Sequence, residues 1–215
     1  MIGNDSAESL NVFLDSNMII YISQFKKYDV VTWVNSLYNK IYVHVDVLDE
    51  LILSEPRDLC TKQIEQSNWI LFNPENSDIL NDDQFEIYNS FYSEIRFDFK
   101  NFQLSRDIKQ TTDKGDIAIL AGCRTLSIAV VSTQDGDFEK VIRDNNYIVN
   151  AKEDESGIDT LIQVHDLEEL GLLCIINEIT TFSKVKKFIS AVMPSSKKRL
   201  ISNLESKIKV YKQIR

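Results

Sequence analysis

The sequence predicts an α/β protein: a central parallel sheet with helices on both faces, followed by a helical extension. Three observations predict it. Short apolar runs alternate with segments of helical spacing, the pattern of strands joined by crossover helices. Some of those runs are apolar throughout, as strands buried on both faces require. After Lys152 the strand-like runs stop, and the acidic loop EDESG (153–157) leads into helical periodicity alone. The expected organisation is therefore one α/β domain over 1–152 and a helical extension over 153–215, basic from 184 onward.

The elements follow in order. Asn11 to Leu14 (NVFL) reads as a buried strand that ends at Asp15, with Ser16 and Asn17 placed to cap the next helix. Ile41 to Val45 (IYVHV) is a second strand, and Asp46 the expected N-cap of a helix containing Val47, Glu50, Leu51 and Ser54. Glu50 should then face the same rim as Asp15. Arg57 to Ser67 reads as a helix and Trp69 to Phe72 (WILF) as a strand closed by Asn73-Pro74.

From Asp78 to about Asp107 the spacing is helical, with Phe85, Tyr88, Phe91, Tyr92, Phe97, Phe99 and Phe102. Such a stripe is expected to face the core rather than to stack bases. Gly115 to Leu126 is a helix of small residues, Ile128 to Ser132 (IAVVS) a strand, Asp135 to Arg143 a helix and Tyr147 to Val149 a last short strand. In the extension, helices are expected over 161–173 and 174–191. Pro194-Ser195-Ser196 should open a last one, striped by Leu200, Ile201, Leu204, Ile208 and Tyr211.

Charge narrows the function classes by its position more than by its sum. The formal charge is −9, yet from Lys184 to Arg215 ten basic residues stand against one acid, Glu205. Such an arm either reaches phosphate or folds back on its own acidic body. The three cysteines, Cys60, Cys123 and Cys174, are widely spaced and lack a CxxC pair, which argues against a disulfide framework or a zinc knuckle. Cys123 should be a small core residue. With no apolar run near the roughly 18 residues of a membrane helix, a cytoplasmic location without membrane contact is expected.

The chemistry concentrates where strands end. Asp15, Glu50, Asp116 and Asp135 each follow a strand or open the helix after one, and Asp137 stands beside the last. Ligands of parallel sheets gather beyond the C-terminal strand ends, so these carboxylates should converge. Packed carboxylates raise one another's pKa, and a cluster kept ionised near neutral pH implies a divalent cation. Oxygen ligands favour Mg²⁺ or Mn²⁺ over zinc. Such ions activate water and clamp the leaving oxygen of a phosphodiester, which is nuclease chemistry.

At these residues the sequence resembles the PIN-domain family over about 11–150. NVFLDSN resembles the opening strand, where an Asp precedes a small hydroxyl residue and a polar one. VHVDVLDELIL is similar to the second motif, with Val47, Glu50 and Leu51 in the matching places and His44 where a proline is usual; His44 is expected to serve the strand end, not catalysis. DKGDIAILAGC is similar to the third motif and assigns Asp116, with Asp113 a weaker candidate. VVSTQDGDF resembles the fourth and assigns Asp135 with its neighbour Asp137, oriented by Ser132 or Thr133.

The resemblance implies a three-layer α/β/α fold, a Mg²⁺ or Mn²⁺ site and endonucleolytic cleavage of RNA. Asp15 would be the central metal ligand, Asp116 and Asp135 its companions, and Glu50 the residue that completes the site or positions water, with Asp137 adjoining and Ser16, Asn17 and Thr133 in support. It also brings a toxin-like role with a protein inhibitor (antitoxin), and a homodimer. The 66 residues from Glu50 to Asp116 exceed what the shortest family members need, so the aromatic helix reads as an insertion. Lys197, Lys198 and Arg199 are the candidate RNA contacts of the extension.

Other readings compete. Acids at helix starts also serve as caps. A haloacid-dehalogenase-like phosphotransferase would need a second Asp two positions after the first, where this chain has Asn17. Receiver-like domains expect a Lys and a Thr that are not clearly in place. The main rival is a catalytically silent PIN-like module that binds RNA or protein.

Overall fold

The computed structural model describes residues 10–106, 113–150 and 159–214. In chain order the first elements are β1 (Leu10–Leu14), α1 (Ser16–Gln24), α2 (Val30–Leu37), β2 (Tyr38–His44), α3 (Val45–Glu50), α4 (Ser54–Glu65) and β3 (Ile70–Phe72). Next come α5 (Asp82–Ser105), α6 (Lys114–Leu126), β4 (Val130–Ser132), α7 (Gly136–Asp144), β5 (Ile148–Asn150), β6 (Asp159–Leu161) and β7 (Gln163–Val164). Three helices close the chain: α8 (Leu167–Ile176), α9 (Phe182–Val192) and α10 (Lys197–Ile214).

Five strands form one parallel sheet in the order β3-β2-β1-β4-β7, with helices packed around it. The apolar runs explain why β1 lies at the centre. Val12, Phe13 and Leu14 are fully buried, and Phe13 meets Phe72 edge to face with ring centroids 5.5 Å apart. Gly122 on α6 lets that ring in, because a Cβ there would stand 2.7 Å from Phe13 Cζ. The long α5 lies along α6, burying Tyr88, Ile95 and Phe99, so its aromatic stripe is mainly core. Phe97, 64% exposed, is the exception. All three cysteines are buried and free. Among the described residues no helix is long and apolar enough to cross a membrane.

Three expectations need correction. The chain after 152 is not strandless: β6 pairs antiparallel with β5, and β7 joins the main sheet beside β4. The sheet therefore takes its fifth strand from the region read as a helical extension. These strands are too short for periodicity to show them, two and three residues, and alternation needs at least four. The last short strand expected at Tyr147–Val149 is β5, which pairs with β6 in a separate two-stranded ribbon. Next, α1 is capped by Asp15 and not by Ser16 or Asn17. Finally, His44 rather than Asp46 caps α3: its Nδ1 accepts from Asp46 N at 3.0 Å, leaving Asp46 inside the first turn. With Nδ1 an acceptor, Nε2–H donates to the Tyr88 hydroxyl at 2.9 Å. Burial of this ring pushes its pKa down to about 4, so it is neutral at ordinary pH and serves structure, as expected of it.

Candidate active site at the sheet's switch point

Strand order reverses at β1, which lies between β2 and β4, and the crevice beyond the C-terminal ends of β1 and β4 is where such sheets bind ligands. Asp15 leaves β1 into that crevice and caps α1, accepting from Ser16 N. Its other oxygen accepts from the Asn17 amide and, at 2.7 Å, from the Thr133 hydroxyl. Asp15 is 3% exposed. Burial raises its pKa, the Thr133 and Ser16 hydrogen bonds oppose that rise, and the Asp135 charge adds to it.

Asn17 is more than a supporting residue. Its amide donates to both Asp15 and Thr133, and its carbonyl accepts from Gln134 N at 3.1 Å. One side chain thereby stitches the start of α1 to the loop after β4. Thr133 in turn accepts from Asp135 N at 3.1 Å, and Asp135 caps α7 by accepting from Asp137 N at 2.8 Å. Ser132 turns away, donating to the His165 carbonyl, so of the two hydroxyls it is Thr133 that orients the rim.

The other acids arrive from α3 and α6. Glu50, the last residue of α3, accepts from Gly115 N at 3.0 Å. That approach needs glycine, since a Cβ at 115 would lie 2.7 Å from Glu50 Oε1. Burial raises the Glu50 pKa, Gly115 N–H opposes, and Asp15 adds to the rise. Asp116 occupies the first turn of α6. Burial, then the charges of Asp15, Asp135, Asp113 and Glu50, push its pKa up to about 9. Among the described residues it has no hydrogen-bond or ion-pair partner, and no cation pairs with Asp15, Glu50 or Asp135. Asp113 precedes α6 with left-handed backbone (φ 36°) and accepts from the Gln103 amide.

Four of the five expected acids thus act on one another. Asp137 stands apart: its carboxylate is paired with Arg106 at 2.7 Å and Lys140 at 2.9 Å, and those two cations hold its pKa below the usual range. No local pattern marks this, because Arg106 stands just after α5, 31 residues away along the chain.

The donor chemistry at Asp15, Asp116 and Asp135 is oxygen only, the kind that Mg²⁺ and Mn²⁺ take. The present side-chain arrangement does not yet gather it: among the described residues no three His, Cys, Asp or Glu side chains form a group able to hold a metal ion. Asp15 and Glu50 point instead at hydrogen-bond donors of the protein. Comparison with known protein families, characterised proteins and solved structures finds no match.

Proposed function

We propose that this chain is a PIN-like, Mg²⁺- or Mn²⁺-dependent endoribonuclease. The observation that carries the reading is Asp116: a half-buried carboxylate crowded by four others, with no cationic partner among the described residues, at the switch point of a parallel sheet. A divalent counter-ion would stabilise crowded carboxylates of this kind, and it could activate water and clamp the leaving oxygen of a phosphodiester. Asp15, Asp116 and Asp135 would hold the ion, which supplies Lewis acidity toward the scissile phosphate. Glu50, fixed by Gly115 N–H, is placed to accept a proton from an attacking water. Asn17 and Thr133 keep Asp15 and the Asp135 loop in register. A toxin-like role with a protein inhibitor, and a homodimer, follow from the resemblance alone.

A second reading, a silent PIN-like module that binds RNA or protein, is favoured by one observation: the acids do not gather as a ready-made metal site. Cleavage of a pool of single-stranded and hairpin RNA by the purified protein decides between them, with Mn²⁺, with EDTA and with Asp116→Asn in parallel. The enzyme reading expects cleavage that both EDTA and the substitution abolish. Cleavage that survives either would refute it. Absence of cleavage together with no rise in melting temperature on adding Mn²⁺ would establish the module.

A further inference from the structure

The ten basic residues at the end of the chain do not act as one group. Arg199 and Lys207 turn inward to the acids of α8, with Arg199 3.9 Å from Glu168 and Lys207 3.0 Å from Glu169. Others gather outward. Around the half-buried ring of Tyr28, in the turn after α1, stand Lys27, Lys184 and Lys187, with ammonium groups 6.0, 5.6 and 5.9 Å from the ring centroid. Lys187 also donates to the Tyr28 hydroxyl at 3.3 Å. The ring itself is held by Phe25 and Trp33, which pack against Phe188 of α9.

The lysines continue across α9. Val185, Phe188 and Ile189 bury one side of that helix, so Lys184, Lys187, Ser190 and Lys186 follow one another around its exposed side. Lys186 and Ser190 then line a groove of about 350 Å³ with Lys197 and Lys198 of α10, where Glu205 is the one acid. Six lysines thus form a strip from the α1–α2 turn over α9 to α10. Among the described residues none of the six is in an ion pair, in a chain of formal charge −9 with acids to spare. At its Lys27 end the strip lies away from Asp15, since α1 carries the chain about 13 Å from Asp15 to Gln24 by helical rise.

We infer that this strip is a second, non-catalytic site that holds the phosphate backbone of a single-stranded nucleic acid. Ammonium groups spaced along an open helix face suit successive phosphates, whereas a single small anion would engage only one end of the row. The inference rests on the nucleic-acid part of the proposed function and not on the carboxylates.

The test measures binding of a labelled 16-nucleotide oligouridylate by fluorescence anisotropy, in EDTA and in an Asp116→Asn background, so that cleavage plays no part. Lys27→Gln/Lys184→Gln/Lys187→Gln and Lys186→Gln/Lys197→Gln/Lys198→Gln are compared with a charge-matched control, Lys62→Gln/Lys209→Gln/Lys212→Gln. Each strip variant is expected to weaken binding roughly ten-fold or more and to lower the salt slope by about 2, while the control changes affinity less than about two-fold. Equal losses in the control would reduce the effect to net charge and overturn the site. So would unchanged binding in both strip variants, or binding of phosphatidylserine vesicles without binding of RNA. Strip-dependent binding by an unsubstituted chain that neither cleaves RNA nor gains melting temperature with Mn²⁺ would leave the site standing and remove the nuclease reading.

Discussion

The rim of the sheet and the outer face of α9 each gather like charges that no ion pair among the described residues compensates, one set negative and one positive, but they bear the cost differently. At the rim, Asp15 is buried, Asp116 is half-buried, and hydrogen bonds from Asn17, Thr133 and Gly115 N–H hold carboxylates where their repulsion is strong. On α9 the lysines are exposed, and water screens them. The rim charges therefore oppose folding until something binds; the α9 charges cost the fold almost nothing and affect only what the protein meets.

Substitution at Asp15 tests this contrast most severely. Asp15→Ala strands the Ser16 N–H, the Asn17 amide and the Thr133 hydroxyl, and should lower stability by about 2–4 kcal/mol in urea unfolding. Relief of repulsion at Asp116 offsets part of that loss. Asp15→Asn is not a neutral control either, because its NH₂ would face donors. Asp116→Asn breaks no hydrogen bond and is the cleaner substitution. A strip variant that destabilised the fold as much as Asp15→Ala would erase the contrast.

A pH series without metal sharpens the contrast further. Asp116 keeps its proton up to about pH 9 in the folded chain but loses it from 3.8 upward when unfolded. The native state then binds more protons, so stability should fall as pH rises between those values. His44 has the opposite sign: its contribution is complete above pH 6.5 and is lost as pH falls toward 4. The decline should thus be clearest from pH 6.5 to 9, be flattened by Asp116→Asn, and be reversed by Mn²⁺. A flat apo profile would mean that the rim carboxylates are already compensated.

Gly115→Ala should change stability by no more than about 1 kcal/mol, since helix propensity gains while the exposed Glu50 side chain swings away. RNA cleavage should nevertheless drop, because Glu50 loses its fixed position. Activity kept at the unsubstituted level would remove Glu50 from the proposed chemistry. The smallest effect belongs to Arg199→Gln, within about 0.5 kcal/mol, as its pair with the buried Glu168 is long, its own side chain is mostly exposed, and Glu168 keeps its hydrogen bond from Asn203.

Much of the sheet was legible because β1 and β4 advertise themselves as apolar runs, and Asp15 and Asp135 because they end them. Asp116 is legible as the acid in the first turn of a helix of small residues. What stayed hidden depends on contacts distant in sequence or on elements too short to have a period. Nothing local distinguishes Asp137, neutralised by Arg106, from Asp135, two residues earlier. The cap on α3 went to His44 because burial against Tyr88 keeps its ring neutral, a tertiary effect that overrides the usual preference for Asp. The basic arm divides in a way no local pattern marks, since Arg199 and Lys207 fold back on α8 while Lys186, Lys197 and Lys198 stay outward.

The placement of β7 has a consequence for how the molecule is made. Its two residues cover the outer side of β4, and His165 just after it bonds to Val131 and Tyr38. During synthesis β4 must therefore wait more than thirty residues for its neighbour, a delay of about 2–6 s at ribosomal speed, with backbone groups open to any passing strand. A chain cut after residue 152 would keep every carboxylate of the rim and still be born with an unfinished edge, prone to stick to its copies.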